Sequence, residues 1–473
     1  KQSFKNTIHN NTLKEDVQEW VKNNLTPGSI DVNIMTKLDK ANFKGREKLP
    51  SEFNDAHAAL RGFANSNLES SVVLSAGMNP RLYSYFENFQ DFFPNENGYL
   101  KKKIILKVSD FRSALIQGKF LAKKGLWVSE YRIESGLNCG GHAFASDGYL
   151  MGPILEEFKL NKDSLISDVD AILRNALESK EKVVPNSTLD LKITAQGGVG
   201  TSKEHEFLMD NYNLDSIGWG TPFLLVPEAT TVDTDTRKLL AKAQEKDLYL
   251  SNVSPLGVPF NSLNGSSNDV IRNERIANNK PGSSCPKKFL ALGLDEKGMP
   301  ICTASKKYQK KALAETTLEN IDAITVKTCL CEGLSNAASA KYNLDKKGEN
   351  QGIAICPGPN MAYYDKEVTL KEMINHIYGK TNILSEKHRP HMFIKELKMY
   401  IDYFSNKVED FKLDFSVKQE KYLDKFKNNL FDGIEYYQNL FETFDVNQDT
   451  LLAELNHLKE ELFSVKIPVL VKA

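Results

Sequence analysis

The sequence predicts an α/β fold built on a parallel sheet, most simply a (β/α)8 barrel that lacks its first two strands in this chain. Two observations lead to this prediction. Short apolar strand patterns alternate with amphipathic helical patterns from residue 30 to about residue 225. Gly, Asn, Ser and His also gather just after the predicted strands, where α/β folds place their functional sites.

Six strands and four connecting helices make up this pattern. The predicted strands are Asp31–Met35, Ser71–Ser75, Lys103–Val108, Trp127–Ile133, Leu191–Thr194 and Ser216–Gly218. The predicted helices between them are Glu52–Ala64, Asp110–Lys123, Asp163–Ser179 and Lys203–Tyr212. A closed barrel needs eight strands, so we expect the chain to be N-terminally incomplete at Lys1. An open doubly wound sheet is the alternative, but its usual G-x-G-x-x-G fingerprint is absent.

Composition indicates a globular protein with more than one region. The chain has 473 residues, of which 41% are hydrophobic, enough for one large domain and a smaller one. We predict a barrel domain over residues 1–275, a cysteine-rich segment over 276–366 and a helical region over 367–473. The helical region is expected to pack on the main domain or on a second subunit, which would form a homo-oligomer.

Charge and hydropathy argue against two classes of partner. Lys and Arg total 61 against 62 Asp and Glu, so no overall field attracts nucleic acid or an anionic membrane. No apolar stretch approaches the roughly 20 residues of a membrane span, and no signal peptide is visible. We therefore expect a cytoplasmic protein that acts on a small molecule.

Three glycine-containing blocks follow predicted strands. They are Gly140-Gly141-His142, Gly197-Gly198, and Gly218 with Gly220-Thr221. Glycine has no Cβ, so backbone N–H groups there can approach an anionic ligand closely, helped by the helix that starts near Lys203. A neutral imidazole near its normal pKa can accept a proton from an acidic carbon. The blocks predict a phosphate-anchored cofactor beside His142.

Five of the six cysteines crowd into the later part of the chain. Cys285, Cys302, Cys329 and Cys331 supply enough thiolates for a closed zinc site or an iron–sulfur cluster, and Cys356 is a possible further ligand. Cys329 and Cys331 cannot easily form a mutual disulfide across one residue. Because the spacings match no standard metal motif, unlinked buried cysteines and disulfides are the alternatives.

Four motifs occur in the order found in nitronate monooxygenases, which are FMN-binding (β/α)8 barrels formerly called 2-nitropropane dioxygenases. The motifs are Val32–Met35, Cys139–His142, Gln196–Val199 and Gly220–Glu228. The sequence resembles this family over roughly residues 10 to 275. It departs from the family pattern at Asn138-Cys139, where the family has glutamate-alanine, and at Pro222, where the family has arginine.

The resemblance implies a set of cofactor contacts and a reaction. Its expected FMN contacts are Asn33, Gly140, Gly141, Gly197, Gly198, Gly218, Gly220 and Thr221. It further implies that His142 is the base for a nitroalkane or orients its nitronate, with FMN passing electrons from the nitronate to O2. Two rival functions remain open, namely an FMN- and NAD(P)H-dependent enoyl-thioester reductase and a non-catalytic flavin-barrel assembly module.

Overall fold

The structure is a computed structural model that describes residues 11–25, 28–75, 77–317, 320–344, 352–385, 388–413, 416–444 and 447–468. Its strands are β1 Val32–Met35, β2 Phe43–Lys44, β3 Glu47–Lys48, β4 Ser70–Ser75, β5 Lys102–Val108, β6 Val128–Glu134, β7 Lys192–Gln196, β8 Ser216–Gly218, β9 Leu248–Ser251, β10 Phe260–Leu263, β11 Gly293–Leu294 and β12 Pro300–Ile301. The fold is thus mixed α/β, and each of the six predicted strands is confirmed to within two residues at either end.

The central element is a six-stranded parallel sheet in the order β1-β4-β5-β6-β7-β8. Each strand of this sheet lies beside the next one along the chain. A doubly wound sheet would reverse its strand order at a switch point, and the observed order contains no reversal. Among the described strands, β1 and β8 are not paired with each other. The sheet is therefore singly wound, and its closure into a barrel stays a prediction.

Strand register brings the functional ends of the strands together. Met35 lies opposite Ser75, Glu134 opposite Gln196, and Gln196 opposite Gly218. Because all six strands are parallel, their carboxyl ends share one edge of the sheet. The segments that carry the three glycine blocks leave the sheet at this edge.

Fifteen α-helices lie in the described part of the chain. They are Asn11–Asn24, Asp55–Ala64, Pro80–Tyr85, Phe111–Ala122, Met151–Ser179, Ser202–Tyr212, Thr234–Lys242, Ser267–Ala277, Lys306–Glu315, Ile321–Thr325, Leu330–Tyr342, Leu370–Ile377, Met392–Leu413, Val417–Phe441 and Gln448–Ser464. None of them is long and apolar enough to cross a membrane.

One predicted helix begins too late. The sequence predicted a helix from Asp163, whereas the structure has a single helix from Met151 to Ser179. Leu155, Phe158 and Leu165 are all buried on it, so one apolar stripe runs through the point where the break was expected. Burial of this continuous stripe against the sheet domain holds both halves in one helix.

The C-terminal helices are confirmed as a helical region and pack on the sheet domain. Leu397 and Phe404 of the helix Met392–Leu413 share a buried apolar core with Leu106 of the sheet. The Tyr437 hydroxyl accepts a hydrogen bond from the Gly152 amide at 3.1 Å. The helical region therefore covers the main domain within one chain. Association with a second subunit stays a prediction, as do the three domain boundaries.

Candidate functional site

Two adjoining cavities lie at the carboxyl edge of the sheet, with volumes of ≈ 510 Å³ and ≈ 450 Å³. Both are lined by Lys107, Glu134, Cys139, Gly140 and Cys356, so the two cavities are neighbours, and we call the pair the strand-end cleft. All nine candidate cofactor and catalytic residues line it. The first cavity holds Gly140, Gly197, Gly198, Gly218, Gly220 and Thr221, and the second holds Asn33, Gly140, Gly141 and His142.

Gly197 and Gly198 are required for a reason other than the close approach of a ligand that the sequence predicted. Gly197 has φ +119°, and a Cβ there would lie 2.7 Å from the Cys139 sulfur. Gly198 has φ +78°, and a Cβ there would lie 2.1 Å from the Asn138 side-chain nitrogen. Both glycines are thus needed for left-handed backbone and for packing against the neighbouring turn. Close approach of a ligand is not the main constraint on them.

Two backbone donors in these turns are nevertheless unused. Within the described residues, the amides of Gly198 and Gly220 have no hydrogen-bond partner. No atom lies within 4 Å of the position that a Gly220 Cβ would occupy. The Thr221 hydroxyl accepts a hydrogen bond from the Gly358 amide at 3.0 Å, which leaves the hydroxyl hydrogen to donate. One end of the cleft therefore offers several uncommitted donors.

The start of the helix Ser202–Tyr212 is not the anion site that the sequence predicted. The Glu204 carboxylate already accepts hydrogen bonds from the amides of Gly200 and Thr201, at 2.9 and 3.2 Å. It also forms an ion pair with Arg389 at 2.7 Å, in which both side chains are less than a tenth exposed. The amides of Gly200 and Thr201 are therefore already engaged and offer no donor to an anion.

His142 sits at the other end of the cleft in a largely apolar environment. Its Nε2 is 2.7 Å from the Ser254 hydroxyl oxygen, and its ring packs edge-on against Phe260 with 4.9 Å between centroids. Burial lowers the pKa of His142 to about 4. The expectation of a near-normal pKa was therefore wrong, because the ring is more desolvated than its place after two glycines suggested.

Three charged residues on the floor of the cleft were missed by sequence reasoning. Lys107 pairs with Glu134 at 2.8 Å, and Gln196 donates to the same carboxylate at 2.7 Å. Arg132 pairs with Glu130 at 2.8 Å. Charges at alternate positions of the strand that contains Glu130, Arg132 and Glu134 were the available signal. An amphipathic strand at the centre of a predicted sheet must point its charges into a polar cavity.

The cysteine-rich segment reaches into the cleft. The Cys356 carbonyl accepts a hydrogen bond from the Gly141 amide at 3.1 Å, and Cys356 lines both cavities. A Cβ on Gly140 would lie 2.5 Å from the same carbonyl oxygen. This loop therefore fixes the Gly140-Gly141 turn. Asn33, on the opposite side, accepts a hydrogen bond from the Ser75 hydroxyl at 3.0 Å through its side-chain oxygen.

The four candidate metal ligands come together outside the cleft. Cys285, Cys302 and Cys329 are buried, Cys331 is half-buried, and all are free thiols. Cys285 and Cys302 lie in one buried apolar cluster, and Cys331 and Cys356 pack against it. In the side-chain positions of the described residues, no three or more Cys, His, Asp or Glu groups are arranged to hold one metal ion.

Comparison with known proteins gives little beyond the structure itself. No family model and no curated protein matches the chain. One solved structure with which it aligns is the enoyl reductase domain of MlnA from the macrolactin biosynthesis cluster of Bacillus amyloliquefaciens. That alignment has 13% sequence identity and a TM-score of 0.39, and it covers 91% of this chain and 88% of that one. A similarity at this level carries no argument about function.

Proposed function

We propose that this protein is an FMN-dependent oxidoreductase that oxidises small alkyl nitronates with O2 in the strand-end cleft. The proposal rests on one observation, which is that the two ends of the strand-end cleft differ in chemistry. Uncommitted backbone donors of Gly198 and Gly220 lie at one end, and Asn33 and His142 lie at the other. An elongated cofactor with an anionic tail and a polar ring system suits this arrangement.

The end of the cleft at Gly198 and Gly220 has the hydrogen-bonding capacity to hold a phosphate. The amides of Gly198 and Gly220 and the Thr221 hydroxyl can each donate one hydrogen bond to a phosphate. Asn138 lines the same cavity, and its side-chain oxygen is buried without a hydrogen-bond partner. The available donors therefore suit the phosphate group of FMN.

The other end of the cleft, at Asn33 and His142, has polar side chains suited to a flavin ring. Asn33 and the Lys107–Glu134 ion pair line the second cavity and can orient a flavin ring by hydrogen bonding. FMN, when bound, supplies the redox chemistry, and the chain supplies position and electrostatics.

His142 suits a substrate that arrives already ionised. A base whose conjugate acid has a pKa of about 4 is poorly matched to removing a proton from a neutral nitroalkane at pH 7. The Ser254 oxygen accepts from the Leu256 amide at 3.2 Å, so its hydroxyl hydrogen is free to go to His142 Nε2. That assignment places the ring proton on Nδ1, as a donor for a nitronate oxygen. His142 is then the residue that orients the nitronate.

The test starts from the purified full-length chain. We expect a flavin absorption spectrum, release of FMN on denaturation, and O2 uptake with ethyl nitronate in the absence of NAD(P)H. Consumption of NAD(P)H only when an enoyl thioester is added would instead identify the reductase function. Absence of flavin from the folded protein, even after incubation with FMN, would leave a non-catalytic module and overturn the proposal.

A further inference from the structure

We propose that Ser254 is a positioning residue that makes the strand-end cleft select an ionised nitronate over a neutral nitroalkane, by fixing which ring nitrogen of His142 carries the proton. The inference rests on the proposed function for the identity of the substrate. Ser254 lies in the loop between β9 and β10 and is fully buried. It therefore does not contact a substrate in the cleft and acts through His142.

The β9–β10 hairpin holds the backbone on both sides of His142. The Ala143 amide donates to the Pro259 carbonyl at 2.9 Å, and the Asn261 amide donates to the Gly141 carbonyl at 2.9 Å. Between these two bonds, an antiparallel bridge joins His142 to β10. The turn that carries His142 thus lies beside β10 as a short third strand, and its position relative to the hairpin is fixed.

The imidazole is held by two side-chain contacts with the same hairpin. Its Nε2 is 2.7 Å from the Ser254 hydroxyl oxygen, and its ring packs against Phe260 with 61° between the ring planes. Within the described residues, Nδ1 has no hydrogen-bond partner, and His142 lines the second cavity of the cleft. Nδ1 is therefore the ring nitrogen that is available to a substrate.

The hydrogen bonds of Ser254 decide where the ring proton lies. Its oxygen already accepts from the Leu256 amide at 3.2 Å. If Nε2 carried the proton, the Ser254 oxygen would accept a second bond, and its own hydroxyl hydrogen would be buried without an acceptor among the described residues. A buried donor without a partner is costly, whereas donation from Ser254 to Nε2 uses every polar atom of the serine. The proton is then on Nδ1.

This tautomer determines which substrate the imidazole can serve. Burial lowers the pKa of His142, so the ring is neutral and has one donor and one acceptor nitrogen. A protonated Nδ1 can donate to a nitronate oxygen, which carries the negative charge. Removal of the α-proton from a nitroalkane needs an acceptor nitrogen in the cleft, and that nitrogen is already engaged with Ser254.

Nitrogen-15 NMR of the full chain, labelled at histidine, tests the inference without reference to turnover. We expect wild-type His142 at pH 7 to be protonated at Nδ1 and unprotonated at Nε2, with its signals identified by their absence from His142→Ala. Ser254→Ala should populate both tautomers. Protonation of Nε2 in the folded wild type would overturn the proposal, whether or not the protein oxidises nitronates.

Rates with ethyl nitronate and nitroethane test the selectivity. Ser254→Ala should lower kcat/KM for ethyl nitronate by about tenfold, raise the relative rate with nitroethane, and leave the FMN content unchanged. Ser254→Thr keeps the hydroxyl and should restore both the tautomer and the rate. The matched control is Ser262→Ala, which removes a buried hydroxyl of the same hairpin that bonds to Ser251, and it should behave like the wild type.

The outcomes separate this inference from the proposed function. If folded Ser254→Ala keeps the wild-type tautomer and the wild-type nitronate kinetics, Ser254 is not a positioning residue, and the proposed function stands. If flavin-bound wild-type protein oxidises no nitronate, the proposed function and the substrate preference both fail, and the NMR spectrum still decides whether Ser254 fixes the tautomer. Should Ser254→Ala not fold, the wild-type spectrum alone decides.

Discussion

Glu396 accepts a hydrogen bond from the Ser135 hydroxyl, and this bond joins the C-terminal helices to the first glycine turn of the strand-end cleft. Its second carboxylate oxygen accepts from the Met151 amide at 2.9 Å and from the Tyr437 hydroxyl at 3.3 Å. The Ser135 oxygen in turn accepts from the Asn138 amide at 3.1 Å. The helical region is therefore part of the scaffold that positions the cleft.

Glu396 should make stability depend on pH. Burial raises the pKa of its carboxyl from 4.5 to about 7, and its side chain is 1% exposed. The folded state thus holds the proton more tightly than the unfolded state, so this contribution is full below pH 4.5 and is lost as pH rises to about 7. Relative to Glu396→Gln, wild-type protein should lose about 2 kcal/mol of unfolding free energy between pH 5 and pH 8.

Urea unfolding of both proteins at the two pH values measures this difference. Glu409→Gln, at an exposed position on the same helix, is the control and should track the wild type. If Glu396→Gln and the wild type change in parallel with pH, Glu396 is ionised in the fold throughout and our assignment is wrong.

Gly198→Ala and Gly220→Ala should separate folding from cofactor binding. At Gly198 the new Cβ meets Asn138 and φ is +78°, so we expect a loss of about 2–3 kcal/mol in unfolding stability. At Gly220 the space is open, so stability should stay within about 0.5 kcal/mol while FMN binds more weakly. Thermal unfolding and flavin titration measure the two effects. If Gly220→Ala binds FMN as tightly as the wild type does, the phosphate does not bind at that turn.

Removal of the His142 imidazole should affect turnover and spare cofactor binding. His142→Ala should retain FMN and lose roughly 10²-fold in nitronate oxidation, the usual effect of removing a positioned proton donor or acceptor. Oxygen uptake with ethyl nitronate measures the rate, and the flavin-to-protein absorbance ratio is the control. Wild-type turnover in this variant would exclude His142 from the reaction.

The pH profile of the wild-type enzyme should also reflect the environment of His142. Its pKa of about 4 lies below the ordinary 6.5, so the imidazole stays neutral down to about pH 5. We therefore expect no acid limb attributable to His142 near pH 6.5 in the pH dependence of kcat/KM. A limb at that pH that disappears in His142→Ala would mean that the ring is solvated during turnover.

Loss of the buried Arg389–Glu204 pair should be costly. Arg389→Met leaves the Glu204 carboxylate buried beside Gly200 without its cation, and we expect a loss of about 3–5 kcal/mol of unfolding stability. The matched control is Lys412→Met, which breaks a surface pair with Glu409 and should cost less than about 1 kcal/mol. Equal effects in urea unfolding would show that Arg389 contributes no more than a surface charge.

Several parts of the fold could be predicted because their signals are local. Strands such as Lys102–Val108 and helices such as Phe111–Ala122 carry their own hydrophobic period, so their bounds were confirmed to within a residue or two. The start of the long helix at Met151 was missed because its apolar residues form one buried stripe only when the helix packs against the sheet domain. Lys107 was missed because the sequence does not show which of the three lysines in the strand Lys102–Val108 lines a cavity.

The sequence by itself determined the six strands of the main sheet and several helices between them, and it singled out the glycines that line the strand-end cleft. Period and turn chemistry are properties of neighbouring residues, so no tertiary information was needed. Only the tertiary structure decided why Gly198 must be glycine, how far the pKa of His142 falls, and that Glu204 occupies the predicted anion site. Each of these depends on atoms from distant segments, such as Asn138, Ser254 and Arg389, because steric exclusion, desolvation and ion pairing act through space and not along the chain.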